Sequence, residues 1–272
     1  TVEAARCTVW FSVPSLLIYL GSMKLLRGAR LPDLRVITFG GEGYPKSELI
    51  KLWRAFGTRV RIVNVYGPTE CTCICSAFDI TEATFTDMEG VPSLGHLASN
   101  FDGLLLDGNA PVEAGEPGEL CLLGPGVAAG YYRMPERTDQ SFVQNPLNDA
   151  YREPMYRTGD LVRRSPEHGL LYFVGRLDNQ IKHMGYRIEL EEIEATLATL
   201  DEVTEAAVVY QRVRSTHGHI VAFLAGEGIP DETTLRERLG ERLPGYMIPN
   251  RIAVQAVLPK SANGKIDRVA LR

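Results

Sequence analysis

Near its C-terminus the chain reads PKSANGKIDR, Pro259 to Arg268, and sets Lys265 directly behind Asn-Gly, the strongest short turn signal. A lysine on a turn tip is a flexible ammonium able to reach an anion. With nothing else beside it, it is a solvated charge. Three of the five cysteines fall in CTCIC, at Cys71, Cys73 and Cys75, and alternate spacing predicts that they share one face of a strand. Zinc sites draw on C-x2-C pairs, and the chain has none, so these thiols are expected to be small buried hydrophobes in a reducing cytoplasm. GPGVAAG, Gly124 to Gly130, has the G-x-G-x-x-A spacing of dinucleotide sites, but it opens no helix and reads as turn glycines. The five histidines (His96, His168, His183, His217, His219) show no ligand spacing and receive no role. The glutamates of ELEEIEATL read as a solvated face with favourable charge at a helix N-terminus.

The elements that must position such groups follow from periodicity. SLLIYLGSMKLL (Ser15–Leu26) has helical spacing, and PKSELIKLWRAF sets Leu49, Leu52, Trp53 and Phe56 on one helical face, with Pro45 suited to its first turn. Apolar runs flank that second helix, LRVITFGGE before it and RVRIVNVYGPTE after it. Strand, helix, strand predicts a βαβ unit with parallel strands, whose ligands bind beyond the carboxyl ends. Those ends are FGGE (Phe39–Glu42) and YGPTE (Tyr66–Glu70), which are expected to be neighbours. From Thr81 the turn residues become dense and the apolar runs short (GLLLDGNAP, GELCLLG, GLLYFVG), the texture of antiparallel structure. After GRLDNQ, Leu190, Ile193, Leu197 and Leu200 line a helix, EAAVVYQ, HIVAFLAG and NRIAVQAV read as strands, and TTLRERLGERL as a second amphipathic helix.

The chain has 272 residues, enough for more than one domain. A net charge of -5 gives no nucleic-acid footprint. The apolar runs are too short to span a bilayer, and no basic-then-apolar leader opens the chain, so neither nucleic acid nor membrane is expected as a partner. The first residue is Thr, which implies that residues upstream have been lost or cut.

FGGE, NVYGPTE, GELCLLGPGVAAGYYRMPERTDQSF, YRTGDLVRR, GRLDNQIKHMGYRIELEEIE and NGKIDR, in that order, resemble the adenylate-forming enzyme superfamily. Within it the chain is most similar to the amino-acid adenylation domains of nonribosomal peptide synthetases and to free-standing aminoacyl ligases. The family's Thr/Ser/Gly-rich phosphate loop and the segment with the aspartate that pairs with the substrate amine are not in this sequence. The resemblance therefore implies the C-terminal part of an adenylation domain, α/β plus α+β in class. Residues 1–80 would end a large α/β N-terminal core, 81–177 form its β-rich subdomain, and 178–272 a small mobile α+β C-terminal domain.

The implied reaction joins a carboxylate to the α-phosphate of ATP, with Mg2+ as cofactor. Two anions must meet, so cations and oriented donors are needed. The resemblance gives Lys265 the cation role at the carboxylate and phosphate, with Gly264 leaving room for approach, Thr69 a hydroxyl for the α-phosphate and Glu70 the Mg2+. Gly40, Gly41, Glu42, Asn64, Tyr66, Gly67, Asp160, Phe173 and Arg176 are implied as nucleotide-binding: Gly40 and Gly41 by admitting the nucleotide to the backbone, Asn64 at the adenine edge, Tyr66 against its face, Asp160 at the ribose hydroxyls and Arg176 near the ribose and phosphate. Asp178 matches the hinge. Rotation there would withdraw Lys265 and bring in Lys182 and Gly185, the latter lining the way for a pantetheine thiol. The side-chain pocket would be walled by Phe11, Ile37, Phe39, Val65, Cys73 and Ile74, an apolar set without charge, from which a small aliphatic or cyclic amino acid such as alanine or proline is expected. The implied partner is a carrier protein with a phosphopantetheine arm, and a small activator protein is a further partner to test. A sibling reading is an acyl- or aryl-CoA synthetase. Another class is a catalytically silent binding fragment that lacks its phosphate loop.

Overall fold

A computed structural model describes residues 2–26, 31–214, 217–261 and 264–271, so Asn263 of the Asn-Gly turn lies outside the described residues. The chain divides into two compact units, Thr1–Asp178 and Asn179–Arg272.

In the first unit, apolar alternation and short helices build a five-stranded sheet ordered β1-β2-β3-β4-β5. Its elements are β1 (Val9–Ser12), α1 (Pro14–Ser22), β2 (Val36–Gly40), α2 (Lys46–Phe56), β3 (Arg61–Tyr66), β4 (Ser76–Asp79) and β5 (His96–Leu97). β1, β2 and β3 are parallel, with Phe39 beside Asn64 and Gly40 beside Val65. The strand–helix–strand expectation therefore holds, and FGGE and YGPTE leave the sheet at adjacent points. Pro45 stands at the N-cap of α2, one place before its first turn. Leu49, Leu52 and Phe56 of α2 pack with Leu17, Ile37, Phe39 and Ile62 in one core. Burying each such side chain contributes about 1.5–3 kcal/mol, which is what fixes α2 against the sheet.

A second, antiparallel sheet follows, ordered β11-β10-β8-β6-β7, with β9 paired to β10. Its strands are β6 (Asp102–Asp107), β7 (Ala110–Pro111), β8 (Pro117–Leu123), β9 (Phe142–Gln144, after α3, Pro135–Ser141), β10 (Pro154–Arg164) and β11 (Leu171–Arg176). The register of β10 against β8 shifts between Arg157 and Leu161, so Thr158, Gly159 and Asp160 form a bulge.

The second unit holds a hairpin of β12 (Ile181–His183) and β13 (Tyr186–Ile188), then α4 (Leu190–Leu197), β14 (Val203–Arg214), β15 (His217–Gly226), α5 (Glu232–Gly240) and β16 (Arg251–Val254). β14 and β15 are antiparallel, and β16 joins β15 in parallel. Leu190, Ile193 and Leu197 of α4 and Leu235 and Leu239 of α5 share one core with Val208, Ile220 and Ala222. The Asp231 carboxylate caps α5 by accepting from the Thr233 and Thr234 amides at 3.0 and 3.1 Å. Among the described residues, no helix is long and apolar enough to cross a membrane.

Candidate functional site

The carboxyl ends of β2 and β3 are shaped by close backbone packing. A Cβ on Gly40 would sit 2.3 Å from the Val65 carbonyl oxygen, and one on Gly67 2.3 Å from that of Cys73, so both positions exclude side chains through neighbouring strand and turn. Gly41 has φ +83, and a Cβ there would meet only Val13, at 3.7 Å. The Glu42 carboxylate accepts from the Ser15 amide at 3.1 Å, at the N-terminal end of α1. Asn64 is buried, and its side-chain amide donates to the Ser93 carbonyl at 2.7 Å.

Beyond Asn64, Tyr66 is buried, and its hydroxyl donates to Asp160 Oδ2 at 2.6 Å. Arg176, at the end of β11, donates to Asp160 Oδ1 at 2.7 Å and to the Thr158 carbonyl at 3.1 Å. It also donates to Asp178, from Nε at 2.6 Å and from Nη2 at 2.5 Å. Three distant sequence stretches thus converge on one carboxylate that is 3% exposed. Burial opposes the charge on Arg176, but the bonds and charges of Asp178 and Asp160 outweigh it and hold the guanidinium above its ordinary value. Burial, then the Asp160 charge, pushes the Tyr66 phenol well above its usual range, so it remains a donor. Phe173 lies exposed on the same strand as Arg176, paired in register with Val162.

The YGPTE turn holds a second group. Glu70 Oε1 accepts from the Tyr131 hydroxyl at 2.7 Å, and the Glu70 carbonyl accepts from the Ala128 amide at 2.8 Å. The Thr72 hydroxyl donates to the Gly126 carbonyl at 2.8 Å. The loop read as turn glycines is therefore the segment that braces Glu70. Thr69 is exposed beside it.

The cysteines depart from the expected strand. Thr69–Cys71 forms a 3-10 turn, and Thr72 and Cys73 are left-handed at φ 58 and 79, which breaks the alternation. Cys71 and Cys75 are buried and Cys73 is exposed. Burial also pushes the Cys121 thiol up to about 12.

The six expected pocket walls do not come together on one surface. Ile37 and Phe39 are 1% and 0% exposed and close the core under α1 and α2, with Phe39 packed edge-on against Tyr44 at 4.9 Å. Val65 is buried and alternates with Asn64 and Tyr66, so it faces the other side of the sheet. Phe11, Cys73 and Ile74 are exposed.

In the second unit, Lys182 lies on β12, and Met184 and Gly185 make the hairpin turn at φ 53 and 85, the paired left-handed geometry of a two-residue turn. Lys265 is exposed on its own turn, whose Ser261 amide donates to the Lys265 carbonyl at 2.7 Å. Arg268 anchors that turn by donating to Glu194 Oε1 and Oε2 at 2.9 and 2.7 Å. Glu194 also accepts from the Val208 amide at 2.7 Å. It is thus a part-buried anchor, which corrects the expectation of a solvated face at Glu194, whereas Glu191 and Glu192 are exposed as expected.

Among the described residues there is no group of three His, Cys, Asp or Glu side chains that could hold a metal unaided. Mg2+ usually binds through one or two carboxylates with phosphate oxygens and water, and Glu70, oriented by Tyr131, fits that pattern. Five groups were missed from sequence: Tyr131, Glu119, Arg157, Thr158 and Gly159. One signal was present, since Glu119 is the one charge in the apolar run GELCLL, whose residues Gly118 to Leu123 are all buried.

Comparisons with known proteins bear on the family and the fold. The AMP-binding enzyme family matches residues 1–132, and the AMP-binding enzyme C-terminal domain family matches residues 192–265. Tyrocidine synthase 3 of Brevibacillus parabrevis is 38% identical over 240 residues, 88% of this chain and 4% of that protein. The structure of PA1221, a nonribosomal peptide synthetase protein containing adenylation and PCP domains, superposes with TM-score 0.81 at 28% identity, over 99% of this chain and 45% of that one. The adenylation domain AlmE of Vibrio cholerae, solved with glycyl-adenosine-5'-phosphate, gives TM-score 0.83 at 26% identity, over 99% of this chain and 50% of that one. The chain thus spans about half the length of these structures and a small part of the synthetase. On the two family matches, the relatives and the shared fold, this chain belongs to the AMP-binding, adenylate-forming enzymes and is similar to part of the adenylation domains of nonribosomal peptide synthetases.

Proposed function

We propose that this chain is part of an enzyme that activates an amino acid as its aminoacyl-AMP and passes it to the phosphopantetheine thiol of a carrier protein. The observation that carries this reading is the Asp160 clamp beyond the carboxyl end of β3, where Tyr66 and Arg176 each take one carboxylate oxygen. An ionised carboxylate has about four acceptor sites, so two bonds leave capacity for the two ribose hydroxyls.

The chemistry divides into two displacements. An oxygen of the amino-acid carboxylate attacks the α-phosphorus of ATP, and pyrophosphate leaves with the broken P–O bond. The carrier thiolate then attacks the acyl carbon, and AMP leaves with the oxygen that the acid supplied. Asp160 holds the ribose and Arg176 adds positive charge near the phosphate. Glu70 would hold Mg2+, a cation that would supply charge neutralisation at the phosphates, and Thr69 offers its hydroxyl beside it. Lys265, exposed and flexible, supplies the cation that lets the two anions meet. Asp178, at the junction of the two units, takes the hinge role, and Lys182 and Gly185 serve the thiol step. AlmE with its glycyl-adenylate and PA1221 with its PCP domain support the amino-acid substrate and the carrier partner.

The test is ATP–pyrophosphate exchange with the full-length protein and a panel of amino, β-amino and aryl acids, beside Lys265→Ala. Exchange that depends on one amino acid and is lost in the variant supports the reading. Exchange with aryl or fatty acids alone, or exchange that survives Lys265→Ala, overturns it.

A further inference from the structure

The bulge of β10 is held from beneath by a carboxylate with no role so far. Glu119, on β8, is 6% exposed. Its Oε2 accepts from Arg157 Nη1 at 2.5 Å, and its Oε1 accepts from the Gly159 amide at 3.1 Å. Arg157 is itself tied down, donating to the Gly108 carbonyl at 2.6 Å and to Asn109 Oδ1 at 2.8 Å. Arg157 thus holds one oxygen of this buried carboxylate in place, and the other is a fixed acceptor.

That acceptor meets a backbone that cannot hold itself. The bulged amide of Gly159 has no strand partner, and an unpaired buried amide costs about 1–3 kcal/mol. Gly159 has φ +70, and a Cβ there would lie 2.7 Å from Arg176 Nη2 and 3.1 Å from Asp178 Oδ2. The next residue is Asp160, whose own amide donates to Thr158 Oγ1 at 3.0 Å, while that hydroxyl donates to the Leu120 carbonyl at 2.7 Å. The bulge therefore has two supports, and both come from consecutive residues of β8. Between them they set the direction in which Asp160 points.

We propose that Glu119 is a positioning residue for the nucleotide: by accepting the Gly159 amide it fixes the bulge that aims the Asp160 carboxylate at the ribose. This rests on the reading of Asp160 as the ribose residue. Glu119 touches no substrate and acts through the backbone of Gly159.

The experiment is calorimetric binding of AMP and of 2′-deoxy-AMP to the full-length protein, which needs neither the amino acid nor metal. Wild type should prefer AMP by about tenfold, the scale of one charge-assisted hydrogen bond. Asp160→Asn should flatten that preference. Glu119→Ala should flatten it too, whereas Glu119→Gln, which keeps an oxygen for the Gly159 amide, should restore most of it. Glu119→Asp, shorter by one methylene but still able to pair with Arg157, carries the expectation of Glu119→Ala if the latter does not fold. Leu49→Ala, a core truncation in α2, should lower stability without moving the ratio. A ratio unchanged in Glu119→Ala or Glu119→Asp, but flattened by Asp160→Asn, overturns the role of Glu119 and leaves the proposed function standing. A wild type that ignores the 2′-hydroxyl, or an Asp160→Asn ratio equal to wild type, overturns the ribose reading itself.

Discussion

Tyr66→Phe removes one oxygen and nothing else, which makes it the cleanest probe of the clamp. The lost bond is a 2.6 Å O–H···O contact to a carboxylate, between two buried groups. Hydrogen bonds to charged groups contribute about 1.5–3 kcal/mol net, and the Asp160 oxygen is left without that donor. A loss of about 2 kcal/mol follows, or about 4–8 °C in the melting of a unit of this size. The assay is a double-mutant cycle of Tyr66→Phe with Asp160→Asn, by urea unfolding of the full-length protein. It should give a coupling of about 1–2 kcal/mol. The sign of its pH dependence follows from the raised phenol: the folded state keeps the proton that an unfolded tyrosine loses near pH 10. The contribution of Tyr66 is therefore full below about pH 10 and declines as pH rises above it. Additive single mutants, or a coupling that grows above that pH, would refute the clamp as drawn.

Phe39→Ala should cost about 3–5 kcal/mol, because the ring lies fully buried against Tyr44 and the α2 face. Urea unfolding checks it, and a loss below about 1 kcal/mol would place the ring in an open pocket instead. Tyr131→Phe should raise the Mg2+ concentration needed for half-maximal nucleotide protection against proteolysis, because Glu70 loses the donor that orients it. The same metal dependence in variant and wild type would separate Tyr131 from the metal.

The parallel β2–α2–β3 unit was legible because every signal for it is local: apolar runs, helical spacing and strand-ending glycines. The convergence of FGGE and YGPTE followed from that topology alone. The bulge at Gly159 was not, since Tyr-Arg-Thr-Gly-Asp offers no sign that a strand passes through it. The amide that the bulge turns out of the ladder finds its acceptor forty positions away, at Glu119. The CTCIC segment misled for the opposite reason. Its alternation is a strand signal, but consecutive left-handed residues at Thr72 and Cys73 turn it into a brace against Gly126. Ile37 and Phe39 were assigned to a pocket by resemblance, and only packing shows that their side of β2 faces α2.

The central claim is that this family member makes an acyl-adenylate, and the path of one oxygen tests it most directly. An amino acid labelled with ¹⁸O in its carboxylate is given to the full-length protein with ATP and carrier protein, and the AMP is analysed by mass. The account predicts AMP that carries one labelled oxygen, with unlabelled pyrophosphate. Unlabelled AMP, or label in phosphate with ADP as the nucleotide product, would contradict it.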